Sequence, residues 1–209
     1  MQYRKHGNTG VAISALGFGC MRLPEYEDEK GVWHIEQEKV NEMLMRAYEL
    51  GVNYFDTALY YCHNNSEIAI GKALAPIRDK VYISTKCPLG KVKSADDYEA
   101  TLEESLRKLG TDYVDFYHFW AINKKQFDEI IVPFGLLDRA KELKAKGKIH
   151  HISFSFHDTP ENLKYIIDHG EGLETVLLQY NLLDRANEEM IAYAHDNAVK
   201  VIWGFAWGW

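Results

Sequence analysis

The chain has 209 residues, 46% of them hydrophobic and 26% charged, with a formal net charge of −7. That balance argues against non-specific nucleic-acid binding, which needs a basic surface, and no apolar run approaches the roughly 20 residues of a membrane span. The opening MQYRKHGNTG lacks the apolar core of a secretory signal, so a cytoplasmic protein is expected.

The segment QYRKHGNTGVAISAL, residues 2–16, reads as a hairpin. Strand candidates follow at 16–21, 53–57, 81–86, 113–119, 151–154, 175–179 and 200–203. Helix candidates lie between them. In VNEMLMRAYELG, Met43, Leu44, Ala47 and Leu50 share a face, and Gly51 suits the stop. SADDYEATLEESLRKLG opens on Ser94 as an N-cap, with acids in its first turn and Arg107 and Lys108 in its last. TPENLKYIIDHG offers Thr159 as N-cap and Pro160 at the first helical position. Cys20, Cys62 and Cys87 are scattered, with no C-x-x-C pair. They read as reduced thiols, and no metal site is signalled.

Repeated strand–helix alternation means parallel strands with helical crossovers, either doubly wound or closed as a (β/α)8 barrel. GFGCMR lacks the third glycine of a dinucleotide fingerprint, which weakens the doubly wound option. Seven repeat strands are countable where a barrel needs eight. The expectation is an α/β barrel with an N-terminal β-hairpin, lacking its eighth strand–helix unit, with residues 1–209 forming one C-terminally incomplete domain.

Ligands of parallel barrels meet the C-terminal strand ends. Asp56, Lys86, His118, Trp120 and Gln179 are the polar or amphipathic residues there. Singly, each has a structural alternative: an aspartate can cap a turn, and a lysine can snorkel to water. Together, Asp56, Tyr61 five residues later and Lys86 on the next strand form an acid–base set. The lysine–aspartate pair is expected to depress the phenol pKa, making Tyr61 a usable proton donor near neutrality.

These residues resemble the aldo-keto reductase family, whose fold is the (β/α)8 barrel. YFDTALYY is similar to its second-strand motif, and STKCP to its Thr-Lys motif on the third strand. YRKHGNTGVAISALGFGCMRLP, EIAIGKAL, TLEESLRKLGTDYVDFY, GKIHHISFSFHD and LLQYNLLDRANEEMIAYA extend the resemblance from residue 1 to about 202. FSFHD and QYNLLD are closest to a bacterial and archaeal branch that often carries a C-terminal ferredoxin-like extension. The resemblance implies hydride transfer between a nicotinamide cofactor, NADP(H) or possibly NAD, and a small-molecule carbonyl or alcohol. It implies Tyr61 as general acid, Lys86 as its electrostatic tuner and Asp56 as the partner of that lysine. Gly19, Met21, Asp56, Ser155 and Gln179 would contact the cofactor, the last two at the nicotinamide carboxamide.

Three departures from the pattern stand out. Trp120, not His118, occupies the position of the usual substrate-orienting histidine, and its bulk favours flat apolar substrates. His118 falls on the same face about 6–7 Å further down the strand, where a core histidine with a satisfied hydrogen bond is expected. Phe156 stands where an asparagine is common, removing one carboxamide contact. The family's phosphate contacts lie beyond the seventh strand, and the tail WGFAWGW replaces a Gly-rich loop. A shifted reading frame is one explanation of that tail. Packing against an open barrel edge, or self-association through it, is another. The second functional reading is a degenerate relative that binds cofactor or a protein partner without efficient turnover.

Overall fold

The computed structural model describes residues 1–6 and 9–204, with backbone alone at 203 and 204. Strand β1 (Tyr3–Lys5) pairs antiparallel with β2 (Ala12–Ser14), Tyr3 opposite Ser14, giving the expected hairpin. Then come β3 (Phe18–Gly19), a second hairpin of β4 (Glu25–Glu27) and β5 (Trp33–Ile35), and α1 (Gln37–Glu49). Next are β6 (Tyr54–Asp56), the short α2 (Tyr61–Asn64), α3 (Ser66–Leu74), β7 (Tyr82–Cys87) and α4 (Ala95–Leu109). The chain continues through β8 (Val114–Ile122), α5 (Lys124–Gln126), α6 (Leu136–Ala145), β9 (Ile149–Phe156) and α7 (Pro160–His169). It ends with β10 (Thr175–Gln179), α8 (Glu188–Asp196) and β11 (Lys200–Gly204).

Seven of these strands form one sheet in the order β3-β6-β7-β8-β9-β10-β11, every pair parallel. Neighbours in sequence are neighbours in space, as helical crossovers require. The edge strands β3 and β11 have no further strand partner among the described residues.

Local chemistry sets the element ends. Ser94 accepts the Asp97 N–H at 3.2 Å and starts α4, and Gly110, at φ 64°, stops it. Thr159 accepts the Asn162 N–H at 3.4 Å, with Pro160 at the first helical position of α7. Gly51 takes φ 94° after α1, and a Cβ there would lie 2.6 Å from that of Met1.

The period-2 alternation of the strands separates two chemistries. One face carries Phe55, Ile83, Phe119, Ile152, Phe154 and Leu178, buried with Leu44, Ile70, Leu102, Leu143 and Ile166 of the helices. Full burial of each such side chain contributes about 1.5–3 kcal/mol. Phe156 belongs to this apolar layer and packs edge-on against Phe154. The other face carries Asp56, Ser84, Lys86, His118, Ser153, Ser155 and Thr175, and its register aligns Lys86, His118, Ser153, Thr175 and Lys200 on successive strands. His6 of the first hairpin reaches this inner face near Phe116, ring centroids 5.6 Å apart.

The β4–β5 hairpin falls in a segment the sequence leaves as a loop, because each strand has only three residues. Asp28 builds its turn: Oδ1 accepts the N–H groups of Lys30 and Val32, each at 2.9 Å, and Oδ2 meets His34 Nε2 at 2.8 Å. The first parallel strand is shorter than the 16–21 expectation, while β8 runs on to Ile122 through an irregularity at Ala121, φ 50°. No helix among the described residues is long and apolar enough to cross a membrane.

Candidate active site

Asp56 ends β6, Lys86 lies one strand over near the end of β7, and the fold brings them together. Lys86 Nζ donates to Asp56 Oδ2 at 2.6 Å and to the Thr57 carbonyl at 2.7 Å. Ser84, two residues earlier on the same face, donates from its hydroxyl to Asp56 Oδ1 at 2.6 Å. Both carboxylate oxygens are therefore engaged, and the lysine, only 1% exposed, is fixed. Thr57 is held in turn: its Oγ1 lies 2.7 Å from Ser66 Oγ, and Ser66 donates to the Cys20 carbonyl at 2.8 Å.

Tyr61 lies beside this pair, its ring centroid 4.7 Å from Lys86 Nζ. Burial would lower the lysine pKa, but Asp56 and Tyr61 outweigh it, and the ammonium titrates above the ordinary lysine value. The phenol does not follow the expectation of a depressed pKa. Burial raises it, the Lys86 charge opposes that, and Asp56 reinforces it; the net shift is upward. In the isolated site, burial and the carboxylate together outweigh the ammonium.

Trp120 is half-buried at the mouth, perpendicular to Tyr61 with centroids 5.6 Å apart. It also lies 5.8 Å from Tyr60, tilted at 41°. His118 is in register with Lys86, one layer deeper, and 0% exposed. The placement agrees with the strand arithmetic; among the described residues no hydrogen bond of ordinary geometry reaches Nδ1 or Nε2, and the Phe154 backbone is the polar group the ring faces. Desolvation by burial, strengthened by the Lys86 charge and opposed by Asp56, pushes its pKa down to about 4.

The remaining predicted residues ring the same strand ends. Gly19 is in register with Asp56, and a Cβ at Gly19 would meet nothing within 4 Å. Met21 is 40% exposed just beyond it. Ser155 Oγ accepts the Ala121 N–H at 2.7 Å, which leaves its own proton free to donate. Gln179 Nε2 contacts Asp184 Oδ2 at 3.4 Å. Trp33 stacks on His63, not on Trp120. The WGFAWGW tail spans residues 203–209, of which 205–209 lie outside the described residues.

Two hollows flank the set. One of about 540 Å³ opens beyond β8 and β9, bounded by Asn123, Lys124, His157, Asp158 and Asn162. The other, about 290 Å³, lies beside Tyr60, Pro88 and Lys91. Neither is lined by Asp56, Tyr61 or Lys86. The sequence reading missed the supporting roles of Ser84 and Thr57. The spacing of Ser84 from Lys86 already puts both on one face, whereas the carbonyl of Thr57 leaves no trace in sequence.

A family profile described as "Aldo/keto reductase family" matches residues 15–207. The chain is 28% identical to NADH-specific methylglyoxal reductase of Escherichia coli strain K12, covering 93% of this chain and 64% of that protein. It is 29% identical to L-galactose dehydrogenase of Arabidopsis thaliana, covering 97% and 64% respectively. Among solved structures, the holo form of aldo-keto reductase AKR11C1 from Bacillus halodurans superposes with a TM-score of 0.81 at 28% identity, covering 97% of this chain and 65% of that one. The chain thus spans 64% of the length of these curated relatives. Its seven-stranded parallel sheet corresponds to strands of their (β/α)8 barrel, and on the profile match, the relatives and the shared fold the chain belongs to the aldo/keto reductase family.

Proposed function

We propose that this chain carries the catalytic floor of a nicotinamide-dependent carbonyl reductase, with Tyr61 as the proton donor. The observation that carries the reading is the fixed ammonium of Lys86, locked by Asp56 at 2.6 Å and 4.7 Å from the Tyr61 ring centroid. A binding module has no evident need for a buried cation aimed at a phenol. The residues present fit the nicotinamide end of such a cofactor. Ser155 offers a free hydroxyl proton, Gln179 an amide that both donates and accepts, and Gly19 an open surface without a side chain. When bound, the cofactor supplies the hydride, and the chain's own residues do the rest.

Tyr61 gives up its Oη proton as negative charge grows on the carbonyl oxygen. The developing tyrosinate then lies against Lys86, an attraction that is stronger in the transition state than in the ground state. The raised phenol pKa keeps Tyr61 protonated before reaction, and the ammonium limits the cost of ionisation during it. Asp56 and Ser84 hold Lys86 in position. Trp120 offers an indole N–H to a carbonyl oxygen and cannot titrate.

NADPH is the proposed preferred donor, and the NADH-specific relative makes both cofactors part of the test. Oxidation of NADPH and NADH is followed with a panel of aldehydes and quinones, comparing the parent chain with Tyr61→Phe. Turnover that falls roughly 100-fold or more in the variant is expected. Turnover unchanged by Tyr61→Phe would remove the tyrosine from the mechanism.

A further inference from the structure

The backbone directly after Tyr61 is strained. Cys62, His63 and Asn64 take φ values of 50°, 53° and 70°, three consecutive non-glycine residues in the left-handed region. L-residues avoid this region because Cβ crowds the following carbonyl. Such a run persists only where its surroundings over-determine it.

The surroundings do so, and the ties come from one stretch of chain, residues 20–35. Cys62, 5% exposed, accepts the Leu23 N–H on its sulfur at 3.3 Å, and Sγ lies 3.4 Å from the Met21 carbonyl and 3.7 Å from that of Cys20. A buried thiol thus pins the turn to the segment leading into β4. His63 stacks flat on Trp33 of β5, centroids 4.3 Å apart at 10°, and its Nδ1 lies 3.1 Å from Glu25 Oε2 of β4. Asn65 Nδ2 donates to the Trp33 carbonyl at 3.2 Å. Glu25 and Trp33 therefore grip the turn from both strands of the hairpin.

We infer that residues 20–35, the segment leading into β4 together with the β4–β5 hairpin, form a positioning element for Tyr61, the segment acting through the Cys62 thiol and the hairpin through the Trp33–His63 stack. The proposal rests on Tyr61 being the proton donor and adds what sets its location. Cys62 and Trp33 are positioning residues, since their partners are the turn and hairpin. A hairpin that merely covered the sheet would have no reason to hold a strained segment one residue from the phenol.

The test uses the full chain with 3-fluorotyrosine incorporated at position 61, in parent, Cys62→Ala, Cys62→Ser, Trp33→Ala and Trp33→Phe backgrounds. Carbonyl reduction is measured on the same five chains without the label. The serine variant keeps a donor–acceptor group, and the phenylalanine variant keeps a stacking face. Cys62→Ala and Trp33→Ala are expected to lower kcat about 10-fold or more, because a displacement of about 1 Å suffices for such losses. KM for the cofactor should stay within about 2-fold, and the fluorine resonance should broaden or split. The serine and phenylalanine variants should restore both kcat and a single sharp line. A merely structural role would lower thermal stability without this split between kcat and KM. Unchanged kcat and an unchanged resonance in both alanine variants would overturn the proposal. If Cys62→Ala fails to fold, the Trp33 pair decides alone. A parent chain without turnover whose resonance still responds would uphold the positioning and remove the reductase reading instead.

Discussion

His118→Leu separates a dry core layer from the reacting one. His118 is fully buried, neither ring nitrogen makes a hydrogen bond of ordinary geometry among the described residues, and its pKa is pushed to about 4 from an ordinary 6.5. The folded pKa lies below the unfolded one, so the unfolded chain binds more protons between these values. Stability therefore falls as pH drops through that window. At pH 5 the acid lies about 1.5 units below the unfolded pKa, which at about 1.36 kcal/mol per unit costs the parent about 2 kcal/mol. His6, also buried and lowered to about 4, follows the same course and is untouched by the substitution. Leucine removes the titration of position 118 and two orphaned polar atoms. The variant should thus be more stable by about 1 kcal/mol at neutral pH and by about 3 kcal/mol at pH 5. Thermal unfolding of both chains at pH 7.5 and pH 5 reads this directly. The gap in Tm should widen by roughly 4–8 °C at the lower pH for a chain of this length. A gap that stays constant would mean that the imidazole is paired or solvated in the fold. Carbonyl reduction at neutral pH should survive the change, since the ring touches neither Tyr61 nor the mouth.

Lys86→Met leaves the Asp56 carboxylate and the Thr57 carbonyl without their shared donor. Loss of about 3 kcal/mol is expected, the low end for a broken buried pair because Asp56 keeps some access to water. Turnover should fall at least about 100-fold; a variant with parental stability would show that the pair is not closed in solution. Gly71→Ala places a Cβ 2.3 Å from the Leu109 carbonyl oxygen, where α3 meets the end of α4 backbone to backbone. The urea midpoint should drop by the equivalent of about 1–3 kcal/mol, and an unmoved midpoint would mean that α4 shifts freely. Trp120→Leu should lower the kcat/KM ratio of naphthaldehyde over cyclohexanecarbaldehyde by roughly 3–10-fold, the worth of one aromatic stack. A ratio that does not move would place the indole outside the substrate's reach.

Long, strongly periodic elements were legible in the sequence because their signals are local. Ser94, Gly110, Thr159 and Pro160 mark the ends of α4 and α7 through their own side chains or backbone freedom. The order of the sheet follows from alternation alone. The β4–β5 hairpin was not legible, since three-residue strands carry no period and its turn depends on one aspartate, Asp28. At the site, Asp56, Lys86 and Trp120 stand out by their strand-end positions, Tyr61 by its spacing of five from Asp56, and the place of Trp120 at the orienting position by the family resemblance. What escaped was the balance of forces. Sequence shows a lysine near a phenol, but the upward shift of Tyr61 depends on how deeply the ring is buried, a property of the folded chain.

The same distinction separates the buried histidine of β8 from the half-buried tryptophan two residues further along. Two residues along a strand move a side chain about 6–7 Å without changing its face. On β8 that step crosses from the mouth, where Trp120 meets Tyr60 and Tyr61, to a layer walled by Lys86 and Ser153 on the neighbouring strands. In that layer a second cation would stand beside an ammonium that Asp56 already neutralises, so the imidazole stays uncharged. The Lys86–Asp56 pair is thus the charge pair beside His118. A polar inner face is tolerable because Ser84, Ser153, Ser155 and Thr175 close their hydrogen bonds on one another or on the backbone and Asp56. His118 closes none of ordinary geometry, a lack that Tyr54 Oη and His6 Nε2 share. Its desolvated ring makes it a stability liability at low pH, while the proposed proton donor is the phenol beside Lys86.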